Sequence, residues 1–142
     1  MSYVTLPKDE LSTTWDDDPA VRVFTRRGGN PVDLLIEFFS APEKARRTRL
    51  TFRGVFEYRW VDFDYSYLQP HPEDFEFSLI EIIDSEDIRK MIEGGMYSNS
   101  PIGERLGGVL RETDVHHYRI SFDDHGCYDV ICTEIKIEIT DE

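Results

Sequence analysis

Five side chains able to hold a metal crowd one short stretch of the chain: His116, His117, His125, Cys127 and Cys132. Imidazole and thiolate are the usual zinc donors, but zinc motifs bring them in close pairs that a single turn aims at one ion, and this spacing matches none of them. Read as an alternating strand, the sequence puts His116 on the face of Tyr118 and His117 on the opposite face, leaving too few donors on either side. Cys127 and Cys132, five positions apart, also point to opposite faces and cannot easily pair with each other. His117, His125 and Cys127 come nearest to a ligand set, and neither a metal nor another cofactor is expected.

Carboxylates stand together at Asp62 and Asp64, at Glu73 and Asp74, and at Asp123 and Asp124. Two carboxylates across a cleft perform acid–base or glycosidic chemistry when their environments separate their pKa values. With 29 acidic residues among 142, such pairs also arise by chance. There is no Gly-x-Ser-x-Gly elbow, phosphate-binding glycine loop or dinucleotide fingerprint, so no catalytic residue is assigned. The stronger recognition signal is aromatic: Trp60, Phe63, Tyr65 and Tyr67 interleave with Asp62 and Asp64. Flat amphipathic rings beside carboxylates suit sugars or partner proteins, which makes Trp60, Asp62, Asp64, Tyr65 and Tyr67 the candidate binding surface. The plainer reading of the same residues is edge-strand core followed by a packed loop.

Charge narrows the partners. Sixteen basic against 29 acidic residues give a net charge of −13, which repels a phosphate backbone, so nucleic acid is not expected. The charge is uneven. From Arg22 to Arg59 nine Lys or Arg face four Asp or Glu, a local +5, whereas Trp60 to Glu142 holds six basic and twenty acidic residues, a local −14. An acidic face that steers a basic macromolecule is the functional reading of that asymmetry. No apolar run approaches the ~18 residues of a membrane span, so no membrane is expected. Sparse cysteine and a first segment unlike a signal peptide make the cytoplasm the expected compartment.

The elements that would position these residues are mostly strands. Ala20 to Thr25 and Val32 to Phe39 flank a turn at Arg26 to Pro31, and the second has apolar residues on both phases, as a strand covered on both faces would. Leu50, Phe52, Phe56, Tyr58 and Trp60 share one phase of a long strand, which Gly54 is expected to bend. Phe75 to Ile83 leads into one helix near 85–94, capped by Asp84 or Ser85 and stopped by Gly94-Gly95. Tyr97 to Gly108 is too rich in glycine for more than about one helical turn. Tyr118, Ile120 and Phe122 alternate before a hairpin turn with Gly126 in its left-handed position, and Tyr128, Val130 and Cys132 alternate after it. The apolar phase then shifts to Ile135, Ile137 and Ile139, so a bulge or a passage between packed layers is expected near Thr133 and Glu134.

Six strands and one helix without a βαβ rhythm predict a mainly β, α+β domain: an antiparallel, curved sheet forming a sandwich or partly open barrel. The 142 residues suit a single domain, with 1–19 as a loosely attached arm that Trp15 docks. Leu50 to Val55, Phe77 to Ile82 followed by Asp84-Ser85, and His117 to Asp123 resemble segments of small bacterial β-rich proteins of uncharacterised families, some of them similar to toxin-neutralising immunity proteins. That resemblance implies an inhibitor or immunity type of interaction protein and transfers no residue roles. The expected function is non-catalytic binding of a basic protein partner by the acidic half; the alternative is a small-ligand or carbohydrate-binding domain, even a hydrolase. Self-association through sheet edges is a third expectation.

Overall fold

Two period-two stretches of the sequence each turn a corner, and the architecture is organised around that turn. The computed structural model describes residues 2–6, 12–26, 30–62, 69–75, 77–95, 110–122 and 124–141. Among them are nine strands: β1 (Ser2–Leu6), β2 (Ala20–Arg26), β3 (Asn30–Phe39), β4 (Arg46–Val55), β5 (Glu57–Val61), β6 (Leu79–Ile83), β7 (His116–Phe122), β8 (Gly126–Cys132) and β9 (Glu134–Asp141). One helix, α1 (Glu86–Glu93), follows β6. The strands form two antiparallel sheets, in the orders β1-β6-β7-β8-β5 and β2-β3-β4-β9. Neither sheet closes into a barrel, and the mainly β, α+β sandwich expected from the sequence is the fold observed.

Leu50 to Trp60 is not one strand. β4 belongs to the four-stranded sheet and β5 to the five-stranded one, with Phe56 between them. The segment it pairs with does the same, because β8 passes into β9 across Thr133. A two-stranded ribbon, β4 with β9 and then β5 with β8, thus bends from one layer into the other. Gly54 makes the bend with φ +60°, a conformation that costs a side chain about 1–3 kcal/mol. A Cβ at Gly54 would also lie 2.5 Å from Thr133 Oγ1. Thr133 closes the corner: its amide donates to the carbonyls of Arg53 (3.0 Å) and Gly54 (3.2 Å), and its hydroxyl donates to Arg53 O (2.8 Å). The phase change read at Thr133 and the bend read at Gly54 are therefore two sides of one feature.

The core lies between the sheets. Leu34, Ile36, Phe38, Leu50 and Phe52 from one layer face Leu79, Tyr118, Ile120, Phe122, Tyr128, Val130 and Cys132 from the other. Phe38 and Phe122 meet edge to face at 5.1 Å. Each fully buried side chain of this size contributes roughly 1.5–3 kcal/mol relative to exposure, so this interface supplies the main cohesion of the sandwich.

Three expectations about packing change. Tyr58 and Trp60 share the phase of the core residues but are 46% and 48% exposed, because β5 is an edge strand flanked by β8 alone. β3 is buried on one face only: Leu34, Ile36 and Phe38 are inside, while Leu35, Glu37 and Phe39 are half-covered by neighbouring side chains such as Arg47, which lies 5.2 Å over the Phe39 ring. In the β7–β8 turn Asp124, with φ +54°, takes the left-handed position expected of Gly126. Gly126 itself has φ +128°, a backbone that disfavours a side chain, and a Cβ there would also close on Val61 O and Trp60 Nε1.

Within 1–19, read from the sequence as a loose arm, β1 pairs with β6 from Ser2↔Ile83 to Leu6↔Leu79. Thr13 is fully buried and hydrogen-bonds the carbonyls of Phe77 and Ser121, and Asp16 Oδ2 accepts the Phe39 amide at 2.9 Å. Trp15, 52% exposed, is not the docking residue. The stretch Tyr97 to Gly108 lies outside the described residues.

Replacing Gly54 by alanine forces a side chain into both the left-handed backbone and Thr133. Urea denaturation of Gly54→Ala is expected to show a loss of about 1–3 kcal/mol with an unchanged m-value. A variant as stable as the parent would mean that the corner is not held by this contact.

Candidate functional site

Helix α1 begins where the sequence places its cap. Ser85 Oγ accepts the Ile88 amide at 3.3 Å, Glu86 and Asp87 complement the positive end of the helix dipole, and Gly94 ends it. Ile88 and Met91 bury one stripe against Phe56, Leu110, Val115 and Ile131. Because Ile131 lies on the face of β8 turned away from the core, α1 is laid over the outside of the five-stranded sheet.

Beneath and beside it the sheet carries buried charge. His117 and Arg119 project from β7 on the outer phase, and Asp129 stands directly opposite Arg119 on β8 and opposite Arg59 on β5. The Asp129 carboxylate is 6% exposed and accepts four hydrogen bonds: Arg119 Nε (2.8 Å) and His117 Nε2 (2.9 Å) at Oδ1, and Arg59 Nη2 (3.0 Å) and Arg119 Nη2 (3.5 Å) at Oδ2. Burial pushes this carboxyl's pKa up, but the hydrogen bond from His117 and the charge and hydrogen bonding of Arg119 outweigh it and hold the group well below the usual carboxylate range. Arg119 Nη1 reaches on to the carbonyls of Gln69 (2.8 Å) and Pro70 (3.2 Å), which fastens that segment to the sheet; the Gln69–Pro70 peptide is cis.

The chain continues through the imidazole: His117 Nδ1 lies 2.7 Å from Ser85 Oγ. With Asp129 ionised, Nε2 carries the proton it donates to that carboxylate, Nδ1 shares a hydrogen bond with Ser85 Oγ, and Ser85 Oγ accepts the Ile88 amide. A serine, a histidine and an aspartate in series are the parts of an acyl-transfer nucleophile. Here, however, the hydroxyl oxygen is already committed to the helix cap and is buried, and every polar atom in the series has a partner. The arrangement therefore acts as a lock: Ser85 holds α1, Arg119 holds 69–70, and Asp129 joins the two by accepting from both His117 and Arg119.

Two hollows flank the lock. One of about 120 Å³ is lined by Glu57, Tyr58, Arg59, Asp87, His117 and Asp129 among others. A second, of about 230 Å³ between the end of β6, α1 and the 3-10 turn Glu112–Asp114, has an apolar floor of Ile82, Ile83, Ile88 and Val115. Its rim carries Glu81, Asp84 and Glu112, with Arg89 3.9 Å from Glu112 and His116 Nδ1 hydrogen-bonded to Glu81 at 2.8 Å.

Of the binding surface expected from the sequence, Trp60 lies on β5 with its ring 6.2 Å from that of His125, and Asp62 is exposed just beyond the strand. Asp64, Tyr65 and Tyr67 lie outside the described residues. The three weak metal candidates point to other partners. His117 is held by Asp129 and Ser85, and His125 Nε2 pairs with Tyr128 Oη at 2.8 Å. Cys127 packs with Val61 and Phe77, its thiol pushed up to about 12 by burial and, behind that, by the Asp129 charge. Among the described residues no three His, Cys, Asp or Glu side chains converge as a metal site. Arg119 and Asp129 are not singled out by the sequence, and Ser85 reads there only as a helix cap. The signal was present in the hairpin register, because a turn at 123–126 places the outward residues His117 and Arg119 beside Asp129.

Because the Asp129 pKa is depressed in the folded state, its contribution to stability is complete above the unfolded value near 4 and is lost as pH falls below it. Denaturation midpoints are expected to drop from about pH 5 to pH 2, and Asp129→Asn should flatten that dependence while costing about 3–5 kcal/mol at pH 7 by leaving Arg119 buried without its partner. An unchanged pH profile in the variant would remove Asp129 from this role. No protein-family model, no curated protein and no solved structure matches the chain.

Proposed function

We propose that the protein is a non-catalytic interaction module, of inhibitor or immunity type, that binds a basic segment of another protein in the acidic groove beside α1. The observation that carries this reading is the make-up of that groove: isoleucine and valine at the floor, Glu81, Asp84 and Glu112 at the rim. An apolar base under carboxylates suits lysine and arginine, whose methylene stems pack on hydrocarbon while the charged head reaches the rim. A neighbouring hollow lined by Ser2, Asp84, Glu86 and Arg89 shares Asp84 and Arg89 with it and adds a further carboxylate. The local −14 of Trp60 to Glu142 supports the same reading, since a field of one sign steers an oppositely charged partner and raises its association rate.

A fluorescent arginine- and lysine-rich peptide titrated with the protein tests it. Affinity is expected to fall steeply between low and physiological salt, and Asp84→Asn with Glu86→Gln and Glu112→Gln is expected to weaken binding about tenfold, roughly 1.4 kcal/mol. Binding that ignores both salt and these substitutions would defeat the proposal.

A hydrolase is the second reading, favoured by the Ser85, His117 and Asp129 series alone. A fluorophosphonate probe separates the two. No labelling is expected, because the Ser85 hydroxyl is buried and engaged; labelling abolished by Ser85→Ala would establish the hydrolase instead.

A further inference from the structure

We infer that the chain forms a two-fold homodimer by antiparallel pairing of β9 with β9 of a second copy, joining the two four-stranded sheets into one of eight strands. β9 is an edge strand, paired with β4 on one side and with no described strand on the other. Sheet edges are ordinarily blunted by bulges, proline or shortness, and β9 has none of these. It runs from Glu134 to Asp141, and its register with β4 is unbroken from Arg46↔Asp141 to Arg53↔Glu134. The edge at β2 differs, since its pairing shifts between Phe24 and Arg26, and β1 and β5 are only five residues each.

The sequence of β9 identifies the occupant. A two-fold axis perpendicular to the sheet pairs residues of the same face, so it must pass through a residue rather than between two. Centred on Ile137, it sets Lys136 opposite Glu138 of the second copy, Glu138 opposite Lys136, and Ile135 opposite Ile139, with Glu134 through Thr140 paired. Centred on Lys136 or Glu138 it opposes like charges, and centred on Ile135 it overlaps only Glu134, Ile135 and Lys136. One register thus combines the long overlap with two cross-strand ion pairs, and it is self-complementary. Lys136 and Glu138 are available for it: their side chains are 58% and 44% exposed, and they meet each other only at 3.9 Å along the strand. On the opposite face Ile135, Ile137 and Ile139 are half-buried, so the paired strand completes the cover of an isoleucine row that the monomer leaves partly open. A lysine on an edge repels unrelated strands, and here the same residue selects its own copy.

Sedimentation equilibrium tests this at concentrations up to about 1 mM. The 16.7 kDa chain is expected to sediment as a dimer. Lys136→Glu alone and Glu138→Lys alone each turn both ion pairs repulsive and are expected to weaken dimerisation at least tenfold. An equimolar mixture of the two variants should re-form a dimer, as should the double variant, because both restore the opposite-charge pairing. Circular dichroism melts confirm that the exposed substitutions leave the fold intact, and slowing of β9 amide exchange with concentration provides a readout free of any substitution. A parent protein that stays monomeric throughout, or a dimer indifferent to the single charge reversals, would overturn the inference.

Discussion

The Asp129 carboxylate is buried on the outer face of a sheet, a position that water would ordinarily have to serve. An ionised group there is tolerated only if its lone pairs are filled, and three side chains from two strands fill them: Arg59 from β5, Arg119 and His117 from β7. The same donors have second partners, and this makes the site more than a neutralised charge. Arg119 draws in the carbonyls of Gln69 and Pro70, while His117 reaches Ser85 and with it the first turn of α1. Removing the carboxylate would leave Arg119 without a counter-charge and His117 without orientation, so the covering layer of this sheet and its buried polar row are mutually dependent.

This dependence reaches the surface. The acidic groove exists because α1 is pinned over Ile131 with its capped end against β7, which sets Asp84 and Arg89 across from Glu112. The other side of the molecule is different in kind. There the outward faces of β3, β4 and β9 mix Arg49, Arg53 and Lys136 with Glu37, Glu134 and Glu138, and the charges pair locally. The acidic half of the chain supplies β6, α1 and the turn that follows, and it also supplies β9, which pairs with β4 from the basic half.

Sequence periodicity carried most of the architecture. The alternation of Tyr118, Ile120 and Phe122 with Tyr128, Val130 and Cys132 is the β7–β8 hairpin, the Ser85 cap and Gly94 bound the helix, and the phase change at Thr133 is a true change of layer. Exposure at the edge was not legible: Trp60 has the phase of the core, and only the strand order, a non-local property, leaves it uncovered. β1 was hidden for a similar reason, because five residues with little pattern become a strand only when β6 offers an edge. The polar lock was missed because its members lie far apart in sequence and each has an ordinary local role. Ser85 reads as a helix cap, and Asp129 reads as one acid among many until the register sets it opposite two arginines.

Hydrogen–deuterium exchange on the parent protein and on Asp129→Asn, compared segment by segment at neutral pH, addresses the central claim most directly. If the carboxylate pins the outer layer, amides of α1 and of residues 69–75 lose protection first, while β2, β3, β4 and β9 keep theirs. Equal loss in both sheets, or unchanged protection of α1, would show that the helix is held by its apolar stripe alone and that Asp129 does not organise this face.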